Sequence, residues 1–191
     1  MTRIIAGSAG GRRLEVPKRG TRPTADRVRE AMFSTLGSWL AAQSTDWSSL
    51  AVLDLFAGSG ALGLEAASRG AARVVLVERN PQAAAVINRN VASCGLDQVE
   101  VMVASVMDLP ARPPGYPTFG LCLADPPYEI PAGDISAALD RVALTWLEPG
   151  AMVVVERPFG QSVSPLPEAW PVTAVRRYAD TCLWYGHVQQ V

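Results

Sequence analysis

Histidine is nearly absent from this chain: His187 is the only one in 191 residues. A histidine-based triad or a multi-histidine metal site is therefore hard to build, and no metal and no role for His187 are expected. Cysteine is scarce too. Cys94, Cys122 and Cys182 are odd in number and widely spaced, with neither metal-ligand nor redox spacing. They read as buried thiols of a reducing cytoplasm. No apolar run is long enough to span a bilayer, and the N-terminus has no apolar signal core. A cytoplasmic protein with no membrane partner is expected. Charged residues make up only 18% of the chain against 49% hydrophobic ones, the balance of a soluble globular protein. The length suits one medium domain able to bury roughly 70% of its extended surface without disulfides or metal. A net charge of −1 excludes a generally basic nucleic-acid coat.

The charge is unevenly spread. Residues 1–30 hold eight basic side chains against Glu15, Asp26 and Glu30, a net +5 that leaves −6 for the remainder. A basic arm on an acidic body suits phosphates, although a solvated terminus would carry the same charge. Residues 1–23 read as a small hairpin turning near Ala9-Gly10-Gly11. A helix is expected from about Thr24, its cap, to Leu36, with Val28, Met32 and Leu36 as its apolar stripe and Gly37 as its stop.

Strands and helices then alternate. Strands are expected at Leu50–Phe56, Arg73–Glu78, Val99–Val103, Phe119–Ala124 and Ala151–Glu156. The helices between them are Ala61–Arg69, a segment opened by Asn80-Pro81 and running to about Ser93, and Asp134–Leu147. Val172–Tyr178 and Cys182–Val188 read as an antiparallel edge pair. Near-continuous apolar strands separated by helices predict an α/β fold, a doubly wound, mostly parallel sheet of seven strands with a small N-terminal hairpin.

Asp54-Leu-Phe-Ala-Gly58-Ser-Gly60-Ala-Leu-Gly63 lies at a strand-to-helix junction, where glycines admit a ligand close to the backbone. Glu78 closes the next strand, where a carboxylate can accept both ribose hydroxyls. Together these indicate an adenosine-type cofactor. Asp54 narrows the choice, because a carboxylate before the glycines opposes a pyrophosphate and suits a ligand bearing an ammonium and a sulfonium.

Asp125-Pro126-Pro127-Tyr128 ends the fourth strand beside the switch point. An exocyclic base amine is a poor nucleophile because its lone pair is delocalised into the ring. The Asp125 carboxylate and the Pro126 carbonyl can hold its hydrogens so that the lone pair faces an incoming methyl. Two prolines stiffen those acceptors, and Tyr128 can stack on the base. Asp125 can also take the surplus proton. Trp184 and Tyr185 are further stacking candidates, with packing at a sheet edge the favoured role.

Asp54–Gly63, Glu78 and Asp125–Tyr128 resemble the motifs of the class I S-adenosylmethionine-dependent methyltransferases. Arg3-Ile-Ile-Ala-Gly and Arg22-Pro-Thr-Ala-Asp-Arg-Val-Arg-Glu-Ala-Met-Phe are similar to a narrower group, the bacterial 16S rRNA guanine-N2 methyltransferase family of the RsmD type. That likeness runs from residue 3 to about 185. It implies methylation of a guanine amino nitrogen in small-subunit rRNA within an assembled particle, with S-adenosyl-L-homocysteine as product; a monomer is expected because nothing in the sequence demands more. It implies a methyltransferase domain over 24–191 behind an RNA-contacting arm over 1–23. The implied cofactor contacts are Asp54, Ala57, Gly58, Ser59, Gly60, Glu78, Arg79, Ser105, Val106 and Asp125, and the implied catalytic group is Asp125, Pro126, Pro127 and Tyr128. RNA contacts fall to Arg3, Arg12, Arg13, Lys18, Arg22, Arg27 and Arg29. Two departures stand out. Ser105 occupies the place of an acid that touches adenine, and Tyr178-Ala179 replaces a Tyr-Gly pair.

Three other readings compete. An adenine-N6 DNA methyltransferase shares the Asp-Pro-Pro-Tyr site but carries a target-recognition region for which this chain has no spare length. A nicotinamide-dependent dehydrogenase would leave Asp125–Tyr128 unexplained. A non-enzymatic RNA-binding assembly factor would leave the cofactor pocket idle.

Overall fold

A computed structural model describes residues 2–17 and 26–189. Thr24, the expected helix cap, and the proposed RNA contacts Lys18 and Arg22 lie outside the described residues. Strands β1 (Thr2–Arg3) and β2 (Arg13–Leu14) form the antiparallel N-terminal hairpin. Its turn is closed by the Ile4 and Gly11 amides, which donate to Arg12 O and Ile4 O.

Helix α1 spans Asp26–Ala42 and corrects the expected stop at Gly37. Leu40 continues the stripe of Val28, Met32, Phe33 and Leu36 and is buried. Burying that leucine contributes about 1.5–3 kcal/mol, more than the roughly 1 kcal/mol a mid-helix glycine costs. The body follows as β3 (Ala51–Leu55), α2 (Ala61–Ser68), β4 (Arg73–Glu78), α3 (Pro81–Cys94), β5 (Val99–Val103), β6 (Phe119–Ala124), α4 (Ala132–Ala143), β7 (Leu147–Pro158), β8 (Val172–Tyr178) and β9 (Thr181–His187). As expected, Asn80 caps α3 by accepting from the Gln82 amide at 2.9 Å, with Pro81 in the first turn.

The seven-stranded sheet has the order β5-β4-β3-β6-β7-β9-β8. Strands β3 to β7 run parallel, and β9 pairs antiparallel with both β7 and β8. Alternate residues serve opposite faces. Val52, Leu76, Leu123 and Val154 meet α1, α2, α3 and the hairpin residues Ile4 and Leu14 on one face. Leu53, Val77, Cys122 and Val155 meet α4 and Trp146 on the other. Covered faces on both sides explain the unbroken apolar runs.

The chain after α4 departs from expectation. The helix ends at Ala143 rather than Leu147, because Trp146 O accepts the Phe119 amide and draws the chain into the sheet. Strand β7 then spans Leu147–Pro158, longer than the expected 151–156. Its register with β6 jumps from Phe119↔Leu147 to Leu121↔Met152. The bulge holds Gly150 at φ 79°, which hid the first part of the strand. Tyr185 is buried and Trp184 packs on the core, so both serve packing. Cys122 and Cys182 are buried and Cys94 half-buried, all three as free thiols.

Candidate functional site

The strand order reverses between β3 and β6, which opens a crevice beyond their C-terminal ends. A cleft of about 870 Å³ lies there, large enough for a nucleoside-sized ligand with a base beside it. Asp54, Ala57, Gly58, Ser59, Glu78, Arg79, Ser105 and Val106 line it, and so do Asp125, Pro126, Pro127 and Tyr128. Thus the two motifs, 71 residues apart from Asp54 to Asp125 in sequence, share one cavity. Gly60 stands just behind the lining as the left-handed N-cap of α2, and a side chain there would press on Ile87 at 3.0 Å.

The glycine turn is built by the acids at its edges. Glu78 accepts from the Gly58 amide at 2.9 Å with one oxygen and from the Asn80 amide at 2.7 Å with the other. It therefore joins the turn to the start of α3, and each oxygen keeps a lone pair for a ribose hydroxyl. Asp54 Oδ2 accepts from the Gly63 amide at 2.8 Å. Gly63 must be glycine for this approach, since a Cβ would lie 2.4 Å from Leu76 Cδ2 and 3.1 Å from Asp54 Oδ2.

Asp54 Oδ1 is buried with no hydrogen-bond partner. Burial pushes the Asp54 carboxyl up to about 8, with Asp125 and Glu78 adding to the rise and the Gly63 amide opposing it. A buried, orphaned carboxyl oxygen with two further acids, Asp125 and Glu78, beside it disfavours a pyrophosphate and favours a cation. The donor set fits a cofactor carrying an ammonium and a sulfonium.

Asp125 follows β6 directly, and its charge is felt at Asp54. The loop behind it is clasped by Arg157, which is fully buried at the end of β7. Its guanidinium donates to Pro127 O at 3.2 Å, Tyr128 O at 3.3 Å, Ile130 O at 2.9 Å and Gln161 Oε1 at 2.9 Å. Among the described residues no hydrogen bond reaches the Pro126 carbonyl. That carbonyl is thus available to a ligand donor.

Of the arm's basic residues, Arg3, Arg12, Arg13 and Arg27 are exposed, and Arg27 stands on the cleft wall. Arg3 also pairs with Asp26 at 3.6 Å. Arg29, expected among the RNA contacts, is corrected. It is fully buried, pairs with Asp26 at 3.0 Å and donates to Arg3 O, so it ties α1 to the hairpin. Its place on the same helix face as Met32, Phe33 and Leu36 is the sequence signal that marks it as buried.

The described part of the arm, residues 2–17, is docked. Buried Glu65 of α2 accepts from the Ile5 amide at 2.7 Å and the Ala6 amide at 3.1 Å. Ser68 O accepts from the Ser8 amide at 2.8 Å, and Gly7 sits where any Cβ would meet Ser68 O at 1.8 Å. Asn90 joins arm and turn: its Oδ1 accepts from the Glu15 amide at 2.8 Å, while Nδ2 donates to Glu15 O and Ser59 O at 3.0 and 3.1 Å. Neither Glu65 nor Asn90 was assigned a role from the sequence, although Asn90 is a lone polar residue on an apolar helix face and Glu65 shares its buried face with Ser68.

The two sequence departures have local explanations. Ser105 lines the cleft and its hydroxyl donates to Asp108 at 3.3 Å, so an acid does stand beside this position. Ala179 turns β8 into β9 at φ 53°, the left-handed conformation that glycine adopts freely. The turn Tyr178–Thr181 and Glu156 complete the far wall of the cleft.

A family profile described as Conserved hypothetical protein 95 matches residues 2–187. The chain belongs to that family, the RsmD family. This RsmD-family chain is 35% identical over 173 residues to ribosomal RNA small subunit methyltransferase D of Haemophilus influenzae, covering 88% of this chain and 84% of that one. A solved structure of a hypothetical protein from Thermus thermophilus superposes with a TM-score of 0.77 at 29% identity, over 98% of this chain and all of the other. An RNA methyltransferase from Salinibacter ruber, solved with S-adenosyl-L-homocysteine, shares the fold at a TM-score of 0.63 and 17% identity, over 89% of this chain and 95% of that one.

Proposed function

We propose that this protein is an S-adenosylmethionine-dependent rRNA methyltransferase that modifies the exocyclic N2 amine of a guanine in 16S rRNA, within a small ribosomal subunit or its precursor. The observation that carries the reading is the common cleft, in which the carboxylate-edged glycine turn and the Asp125–Tyr128 loop face one cavity. The names of the family's curated relatives support an rRNA substrate. S-adenosylmethionine supplies an electrophilic methyl on a sulfonium.

Every remaining task falls to this chain. Glu78 holds the ribose, Asp54 the ammonium, and Gly58 to Gly60 leave room for the methionine portion. Ser105 and Val106 border the adenine, and Arg79 at the exposed end of β4 flanks the same wall. Tyr128 stacks on a guanine drawn from an RNA loop. Asp125 and the Pro126 carbonyl accept the two amine hydrogens, turning the nitrogen lone pair toward the sulfonium side. Once nitrogen gains its fourth bond it sheds a proton, and Asp125 is the acceptor at hand. Arg27 on the cleft wall and the exposed Arg3, Arg12 and Arg13 of the hairpin hold RNA phosphates.

The test is methylation of total RNA and of small subunits from a strain lacking the enzyme, with mass-spectrometric mapping of the product. N2-methylguanine in 16S rRNA supports the reading, whereas N6-methyladenine or an unmodified amine sinks it. Asp125→Ala should cut transfer at least about 100-fold while leaving cofactor binding intact, and a variant that keeps most of its rate refutes the role of Asp125.

A further inference from the structure

Arg157 is costly where it stands. A guanidinium wholly removed from water loses its hydration, and it persists only if acceptors replace the lost solvent. Burial pulls its pKa down, while Tyr128, Asp125 and Glu129 hold it up. A strand end that served the core alone would carry another valine, as Val153, Val154 and Val155 do just before it. The cofactor wall of the cleft lies on β3, β4 and β5, two strands and more away, and Arg157 touches none of it.

Apart from Gln161, the hydrogen-bond partners of its guanidinium belong to the loop proposed to receive the amine. Three carbonyls of that loop, those of Pro127, Tyr128 and Ile130, accept from the one planar fork, and Gln161 fixes the fork from behind. The Ile130 amide donates back to Pro127 O at 3.1 Å, so the loop is pinned from both sides. Committing those carbonyls to a buried cation leaves the Pro126 carbonyl as the acceptor that remains for a ligand. It also sets the backbone from which Asp125 and the Tyr128 ring project. A lysine could not do this, since one ammonium cannot meet three carbonyls and an amide in a single plane.

We propose that Arg157 is the positioning residue of methyl transfer. It holds the 126–130 loop so that Asp125, Pro126 and Tyr128 present one rigid receptor for the base amine, and it takes no part in cofactor binding. This rests on the amino-group reading above. The consequence is a split between rate and affinity, because a displaced acceptor slows a reaction that needs alignment without weakening a ligand held elsewhere.

The experiment compares Arg157→Lys and Gln161→Ala with wild type. It reads single-turnover methyl transfer to small subunits, the cofactor Kd by calorimetry, the RNA half-saturation and the melting temperature. Arg157→Lys should slow transfer about 100-fold with cofactor Kd and RNA half-saturation within about threefold. Gln161→Ala frees the fork without touching the loop and should slow transfer about threefold to tenfold with an unchanged melt. Transfer by Arg157→Lys at nearly the wild-type rate overturns the proposal. So does a loss of rate matched by an equal loss of cofactor affinity, which marks a purely structural residue. If Arg157→Lys does not fold, Gln161→Ala decides, and an undiminished rate overturns the proposal. The wild-type product guards the underlying reading: no N2-methylguanine sinks the proposed function, whereas normal wild-type product with a fast Arg157→Lys sinks only the role of Arg157.

Discussion

Replacing Asp54 by asparagine separates charge from shape at the floor of the cleft. The carboxyl is buried with one oxygen on the Gly63 amide and the other without a partner, and its pKa is pushed up to about 8. At pH 7 roughly nine-tenths of the unliganded protein therefore holds a proton there. An ammonium brought to Oδ1 favours the carboxylate, so cofactor binding at pH 7 should release close to one proton. Affinity should then climb by nearly tenfold per pH unit from about 6 to 8 and level off above that. Without ligand the sign reverses. The folded pKa exceeds the unfolded value of 3.8, so the native state holds a proton that the unfolded state gives up. Stability is full below about pH 4 and falls as pH rises to about 8, by on the order of 5 kcal/mol.

Asp54→Asn keeps an acceptor for the Gly63 amide but does not titrate. At pH 8 the unliganded variant should melt on the order of 10 °C above wild type and converge with it near pH 4. Its cofactor Kd should be flat with pH and about 10- to 100-fold weaker at pH 8. Calorimetry at pH 7 in two buffers of different ionisation enthalpy counts the proton, and scanning calorimetry follows the melt. A wild-type Kd that stays flat between pH 6 and 8, with no proton exchanged, refutes the reasoning.

The docking of the arm gives a second expectation: Glu65→Ala strands the Ile5 and Ala6 amides and should cost about 3–5 kcal/mol, read as a lower denaturant midpoint with faster proteolysis after Arg12 and Arg13. Gly63→Ala forces a methyl against Leu76 and Asp54, and overpacking should cost about 1–3 kcal/mol. Calorimetry should also show its cofactor Kd raised about tenfold. Substituting Arg12, Arg13 and Arg27 together should weaken RNA binding at every sequence and reduce the slope of log K against log salt by up to about 2, at roughly 0.7 per phosphate contact. An unchanged slope would leave these arginines without phosphate contacts.

Much of the site was legible because its signals are short-range. A glycine turn needs glycines wherever it occurs, Asn80-Pro81 starts a helix by its own side-chain chemistry, and Asp125-Pro126-Pro127-Tyr128 marks its strand end by its own two prolines. The near-continuous apolar runs of covered strands likewise placed Arg73–Glu78, Val99–Val103 and Phe119–Ala124 at their observed bounds. A carboxylate at a strand end could be assigned to the ligand side because a doubly wound sheet opens its crevice there and nowhere else.

What escaped depends on residues far apart in the chain. Gly37 breaks a helix in isolation, and only the packing of Leu40 carries α1 past it. Arg29 reads as one more cation of a basic arm until the hairpin closes over it. Arg157 reads as a charge at the end of a strand until the loop 27 to 30 residues earlier wraps around its guanidinium. Local chemistry thus determined which elements form and which side chains line the cleft. Tertiary structure alone decided which charges are buried and what they hold, because the free energy of a buried charge is set by neighbours that folding brings to it.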